Sequence, residues 1–339
     1  MKIFDTHAHY DSRQFSEDRD EILKMLRDGS NGTDLNEAGD GIPEEGAVSS
    51  RGVPVGRIVN VGADMASSYT TLELAGKYDF IYAAVGVHPD SAGELIWCPE
   101  KCEGTDNVAK VSEGESEEED PYSGITEEIC KNNREKLKGL SQENKVVAIG
   151  EIGLDYHWDI WPRDIQQKAF EFQWRLAAEC GLPVIIHSRD AAEDTLRMIT
   201  DFYREADRVG GVFPRAVMHC YSYSPEHAEE YLKMGLMFGI GGVVTFKNAK
   251  KLKEVVDLLP LDRILLETDC PYMAPDPFRG KRNNSGYLTY VAGKIAEIKG
   301  MDVKEVYKRT WENAEMFFAG KGNIYGNTRG SEKNDRNTQ

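Results

Sequence analysis

Long apolar runs are missing from this 339-residue chain, which has none of the roughly 20 consecutive apolar residues that a membrane-spanning helix needs. No basic and then apolar leader precedes Asp5, Thr6 and His7, and cysteine is scarce, at six residues. Without an export signal, Cys98, Cys102, Cys130, Cys180, Cys220 and Cys270 are expected to be free thiols of a cytoplasmic protein. Cys98 and Cys102 have no second Cys/His pair nearby to complete a zinc site, so they read as loop thiols. No G-x-G-x-x-G follows the first apolar run, which removes the cue for an open, doubly wound nucleotide-binding sheet.

An excess of basic charge is also missing. Asp and Glu number 58 against 41 Lys and Arg, a net −17. The imbalance is local: residues 28–50 hold six acidic and no basic side chains, and residues 100–128 hold eleven acidic and two basic. Those segments carry −15 and leave −2 for the rest, so net charge neither supports nor excludes a polyanionic substrate. Segments at about 28–54 and 98–126 are Gly-, Ser-, Asp- and Glu-rich without periodicity and are expected to be solvated insertions; the tail, 321–339, is expected to be disordered.

What the chain does have is rhythm. Eight short apolar runs, at 2–7, 57–61, 81–87, 146–151, 183–187, 216–219, 237–241 and 263–269, are rich in β-branched residues and bounded by turn signals. Helical patterns lie at 18–27, 66–78, 163–180, 191–209, 225–234 and 249–259, then at 287–299 and 303–318. Strands alternating with helices pair in parallel, and eight such units predict an α/β fold, a (β/α)8 TIM barrel spanning residues 1–320 as one domain, interrupted by the two acidic insertions.

Metal-competent residues fall on one end of that barrel. His7 and His9, spaced i and i+2, share a face of the first strand, and Glu151, His187, His219 and Asp269 lie at or just past the ends of strands 4, 5, 6 and 8. Four imidazoles and two carboxylates exceed the three protein ligands of a catalytic zinc. Two divalent ions suit them better: Glu151 as a bridge, His7, His9 and Asp269 on one ion, His187 and His219 on the other. Ions about 3.5 to 4 Å apart share a water, lower its pKa from about 15.7 toward about 7, and clamp the attacking and leaving oxygens of displacement at phosphorus. Asp269 is then either general base or ligand alone. Zn, Mn, Mg, Co, Fe and Ni all remain open as the metal.

The ordered blocks Phe4 Asp5 Thr6 His7 Ala8 His9, Gly86 Val87 His88 Pro89, Gly150 Glu151 Ile152 Gly153 Leu154 Asp155 Tyr156, His187 Ser188 Arg189, His219 Cys220 Tyr221 Ser222 and Glu267 Thr268 Asp269 Cys270 Pro271 Tyr272 resemble the TatD family of metal-dependent DNases, within the amidohydrolase superfamily. The resemblance implies a deoxyribonuclease with DNA as substrate, two divalent ions held by those six residues, and 3′–5′ exonuclease action. The lack of a long apolar run leads to no expected membrane association, and no obligate protein partner is evident in the sequence. The same ligand set serves other hydrolases, such as a lactonase, an amidohydrolase or an aminoacyl-tRNA deacylase; a non-enzymatic binding protein would need no open metal position. Tyr223, where such chains usually carry glycine, is expected to narrow the pocket. His88, Arg189, Arg279 and Arg282 are candidate substrate contacts, Asp155 is expected to orient a loop or a ligand, and His157 and His227 read as surface residues.

Overall fold

In the computed structural model, which describes residues 1–29, 53–99, 125–211 and 213–319, the strands form one parallel sheet in chain order. They are β1 (Ile3–Ala8), β2 (Val55–Val61), β3 (Ile81–Val85), β4 (Val146–Asp155), β5 (Val184–Arg189), β6 (Ala216–Met218), β7 (Met237–Ile240) and β8 (Ile264–Leu266). Beyond β8, the Thr268 and Asp269 N–H groups donate to the His7 carbonyl and His9 N–H to that of Cys270, which joins the last strand to the first and forms the (β/α)8 barrel.

One side chain or more from each strand, among them Phe4, Val59, Ala84, Val147, Ile185 and Val217, meets in a buried cluster inside the ring. Alternate positions such as Ile58, Val85, Ile186, Met218 and Leu266 belong to the larger core beneath the helices. Helix α9 (Val303–Phe317) seals the N-terminal end: Phe317 and Phe318 join the inner cluster, and the Phe4 ring lies 5.6 Å from that of Trp311. The other helices are α1 (Arg19–Asp28), α2 (Met65–Lys77), α3 (Glu127–Leu140), α4 (Arg163–Cys180), α5 (Ala192–Val209), α6 (Pro225–Lys233), α7 (Lys250–Leu258) and α8 (Leu288–Lys299). None of the described helices is long and apolar enough to cross a membrane.

Three elements correct the sequence reading. Helix α3 was not expected, because only Cys130, Leu137 and Leu140 of its polar sequence are buried; Thr126 caps it, its side chain accepting the Ile129 N–H. Strand β4 runs four residues beyond Glu151, every residue buried, because its end pairs with β5 through Asp155 and Arg189. Strand β8 stops at Leu266, short of Asp269. The acidic insertions, apart from their edges, and the tail lie outside the described residues.

Candidate metal centre

Simple alternation delivers three of the site side chains. His187 lies two residues after the inward Ile185, His219 two after Val217, and Glu267 two after Leu265. His7 and Glu151 need more, because three steps from inward Phe4 would leave His7 on the wrong face. The register supplies the correction: Asp5 pairs with Ile58 and Ala8 with Asn60, three steps along β1 against two along β2. The same offset occurs where Ile149 pairs with Val184 and Ile152 with Ile186, so Glu151 also sits in a bulge that re-aims it. Past the strand ends, Cys220 (φ 45°) and Asp269 (φ 56°) occupy the left-handed region, which costs non-glycine residues energy and must be held by their surroundings. At the β1–β8 seam the holder is buried Asp5, whose carboxylate accepts the Thr268 hydroxyl at 2.7 Å, the Ser285 hydroxyl at 2.6 Å and the Thr268 N–H at 3.1 Å. Burial lifts Asp5 to about 7 against those bonds.

The six candidate ligands converge at the barrel's C-terminal face. His7 Nε2 lies 3.1 Å from His9 Nε2, 3.5 Å from Glu151 Oε2 and 3.8 Å from Asp269 Oδ1. Asp269 Oδ1 is also 3.4 Å from His9 Nε2 and 3.8 Å from His219 Nε2. The other oxygen of Glu151, Oε1, is 2.7 Å from His187 Nδ1 and 3.7 Å from His219 Nε2. The rings of His7 and His219 stack at 3.5 Å. Buried Glu267 stands 3.2 Å from His219 Nδ1, and Asp155 Oδ2 lies 3.0 Å from His187 Nε2 while its Oδ1 accepts the N–H groups of His157 and Trp158. Neither Glu267 nor Asp5 was singled out in the sequence. The inward parity of Glu267, two residues after Leu265, was the available signal.

Electrostatics shows what such a cluster accepts. Burial opposes charge on His9, His187 and His219, yet adjacent carboxylates outweigh it and hold them up at about 9, 9 and 10. Burial likewise opposes ionisation of Glu151 and Asp269, and the surrounding imidazoles keep both below the usual carboxylate range. The site therefore binds positive charge at its centre. His7 Nδ1 is buried with no hydrogen-bond partner among the described residues, and its Nε2 faces a second imidazole nitrogen. Imidazole nitrogens facing one another beside carboxylates of low pKa fit a divalent cation better than a structural network.

A family model described as TatD related DNase matches residues 4–319. The chain belongs to the TatD family. The metal-dependent hydrolase YabD of Bacillus subtilis is 40% identical over 316 residues, covering 93% of this chain and 98% of that protein. The 3′-5′ ssDNA/RNA exonuclease TatD of Erwinia tasmaniensis is 28% identical, covering 93% and 99%. The crystal structure of YjjV, a TatD homologue of Escherichia coli, superposes with a TM-score of 0.68 at 26% identity, covering 93% of this chain and 97% of that one. Like its relatives, the chain is a metal-dependent hydrolase, of the class acting on ester bonds.

Around this TatD centre opens a cavity of about 910 Å³ that also takes in His88 and Arg189. His88 meets His187 edge-on at 4.2 Å; burial and the charge of His187 hold it down at about 3, so it is a neutral imidazole. Its Nδ1 accepts the Asp90 N–H, which places the ring proton on Nε2. The exposed guanidinium of Arg189 has no carboxylate partner among the described residues. Arg279 and Arg282 do not line this cavity: Arg279 lies over Phe246 at 4.4 Å, and Arg282 pairs with Asp18 over the Phe15 ring. Tyr223, expected to narrow it, is not among the lining residues: its hydroxyl bonds that of Ser188, which does line the cavity, and accepts the Ala191 N–H.

Proposed function

We propose that this TatD-family hydrolase is a deoxyribonuclease that holds two divalent ions and hydrolyses DNA phosphodiester bonds from the 3′ end. The observation that carries the reading is the division of Glu151, whose Oε2 faces His7 while its Oε1 faces His187 and His219. One carboxylate thus serves two donor groups, and Asp269 reaches His9 and His219. When bound there, divalent ions supply Lewis-acid polarisation of the phosphodiester and an attacking water acidic enough to react near neutral pH.

The chain's own residues do the rest. Asp269, held ionised by His9 and its neighbours, accepts the water's proton. His88 donates from Nε2 to a phosphate or departing oxygen, and Arg189 pairs with an adjoining phosphate. A cavity at a barrel mouth admits a chain end more easily than a duplex, and the activity named for the Erwinia relative supports 3′–5′ polarity.

The test is to strip the protein of metal, reload it separately with Zn, Mn, Mg, Co, Fe or Ni, and assay 3′- and 5′-blocked strands beside lactone, amide and aminoacyl-tRNA substrates. About two ions per chain and stepwise loss from free 3′ ends are expected. Full activity with one ion overturns the two-ion centre. Turnover of carbonyl substrates alone moves the function to a lactonase, amidohydrolase or deacylase. Glu151→Ala is expected to lose both ions and turnover while keeping the fold, read by elemental analysis and circular dichroism.

A further inference from the structure

Two large side chains at the cavity rim are left in water. Trp158 is 61% exposed and Tyr272 54%, both line the cavity, and neither was set apart from the core in the sequence. Each is tied to the ligand set by its backbone. The Asp155 carboxylate that contacts His187 also accepts the Trp158 N–H at 3.0 Å, so one group sets the ligand ring and the indole's backbone together. Tyr272 donates its N–H to the Asp269 carbonyl at 2.9 Å, and its own carbonyl accepts the Asn283 side-chain amide at 2.7 Å. Met273, next in the chain, is 44% exposed and held at φ 57°, a strained turn that presents the pair outward. Because Trp158 follows β4 and Tyr272 follows β8, an eight-stranded ring places them across the mouth from one another. The Arg189 guanidinium stands 5.6 Å from the Trp158 ring.

We propose that Trp158 and Tyr272 are stacking platforms for unpaired bases flanking the phosphodiester held at the centre, with Arg189 on the adjacent backbone phosphate. The occupant is a single-stranded nucleic acid with its bases exposed. Aromatic faces beside a cationic group are how sequence-tolerant single-strand sites work, because every base offers a π-face. A duplex, its bases stacked internally, cannot engage either ring.

This inference rests on the nuclease reading, and one experiment separates them. Metal-loaded wild type, Trp158→Ala, Trp158→Phe and Tyr272→Ala are compared on a single-stranded oligodeoxynucleotide and on the same strand carrying abasic sites at its last 3′ positions. Wild type should favour the base-bearing strand by roughly tenfold per stacked base in kcat/KM. Each alanine variant should lose about that preference, chiefly through KM, and Trp158→Phe should restore most of it. A preference unchanged in Trp158→Ala and Tyr272→Ala overturns the platforms while the nuclease reading stands. Wild-type turnover of both strands without preference does the same, and a wild type that neither binds nor cuts any strand overturns both. Equal thermal melting of the variants and wild type excludes misfolding as the cause.

Discussion

At the scale of single residues, the site depends on carboxylates that stand behind the candidate ligands, Glu267 away from the cavity and Asp155 on its wall. Glu267 stands behind His219, and Asp155 behind His187; each fixes which ring nitrogen points inward. Room for Glu267 is made by Gly239, where a Cβ would lie 2.0 Å from Glu267 Oε2. Glu267→Gln keeps the shape but removes the charge behind His219, and metal affinity is expected to fall roughly 10- to 100-fold, measured by competition with a chelating indicator. Unchanged affinity would show that Glu267 serves only the Cys220 N–H, which its carboxylate accepts.

At the scale of elements, the site is built where β1 and β4 depart from regularity. Neighbouring β4 and β5 approach closely at Gly153, which has φ 142° and would bring a Cβ to 2.0 Å from the His187 carbonyl. Gly153→Ala must therefore push apart the two strands that carry Glu151 and His187. It is expected to cost at least about 1–3 kcal/mol of stability, read by denaturant unfolding, and to lower metal content before global unfolding sets in. Most element positions were legible in the sequence, because short β-branched apolar runs bounded by turn signals and helical patterns each carry a local signal. The bulges were not, because an extra residue is defined only against a partner strand. Helix α3 was hidden for a related reason, since three buried side chains leave little periodicity to read.

At the scale of the whole molecule, stability and metal uptake are linked through protons. His9 and His187 are held at about 9 and His219 at about 10, above the ordinary value of roughly 6.5. Between those limits the folded metal-free protein binds more protons than the unfolded chain, so this contribution to stability is full below about pH 6.5 and is lost as pH rises through about 9–10. His7 and His88, held down by burial, act in the opposite sense: they favour folding above about pH 6.5 and lose that contribution in acid. Metal must displace the protons on the raised histidines, so affinity climbs across the same alkaline window. Melting temperature of the metal-free protein is expected to fall from about pH 7 to 9.5, and the gap between metal-saturated and metal-free protein to widen. A gap that narrows instead would show those histidines to be neutral already.

The sequence by itself determined the barrel and the identity of the six candidate ligands, because alternation of strand and helix and the ends of apolar runs are local properties of the chain. Only the tertiary structure decided how His7 and Glu151 face inward, which carboxylates stand behind the histidines, and which candidate arginines meet the cavity. Those outcomes depend on register between strands and on side chains hundreds of residues apart, such as Asp5 with Thr268 and Ser285. Local pattern carries no record of either.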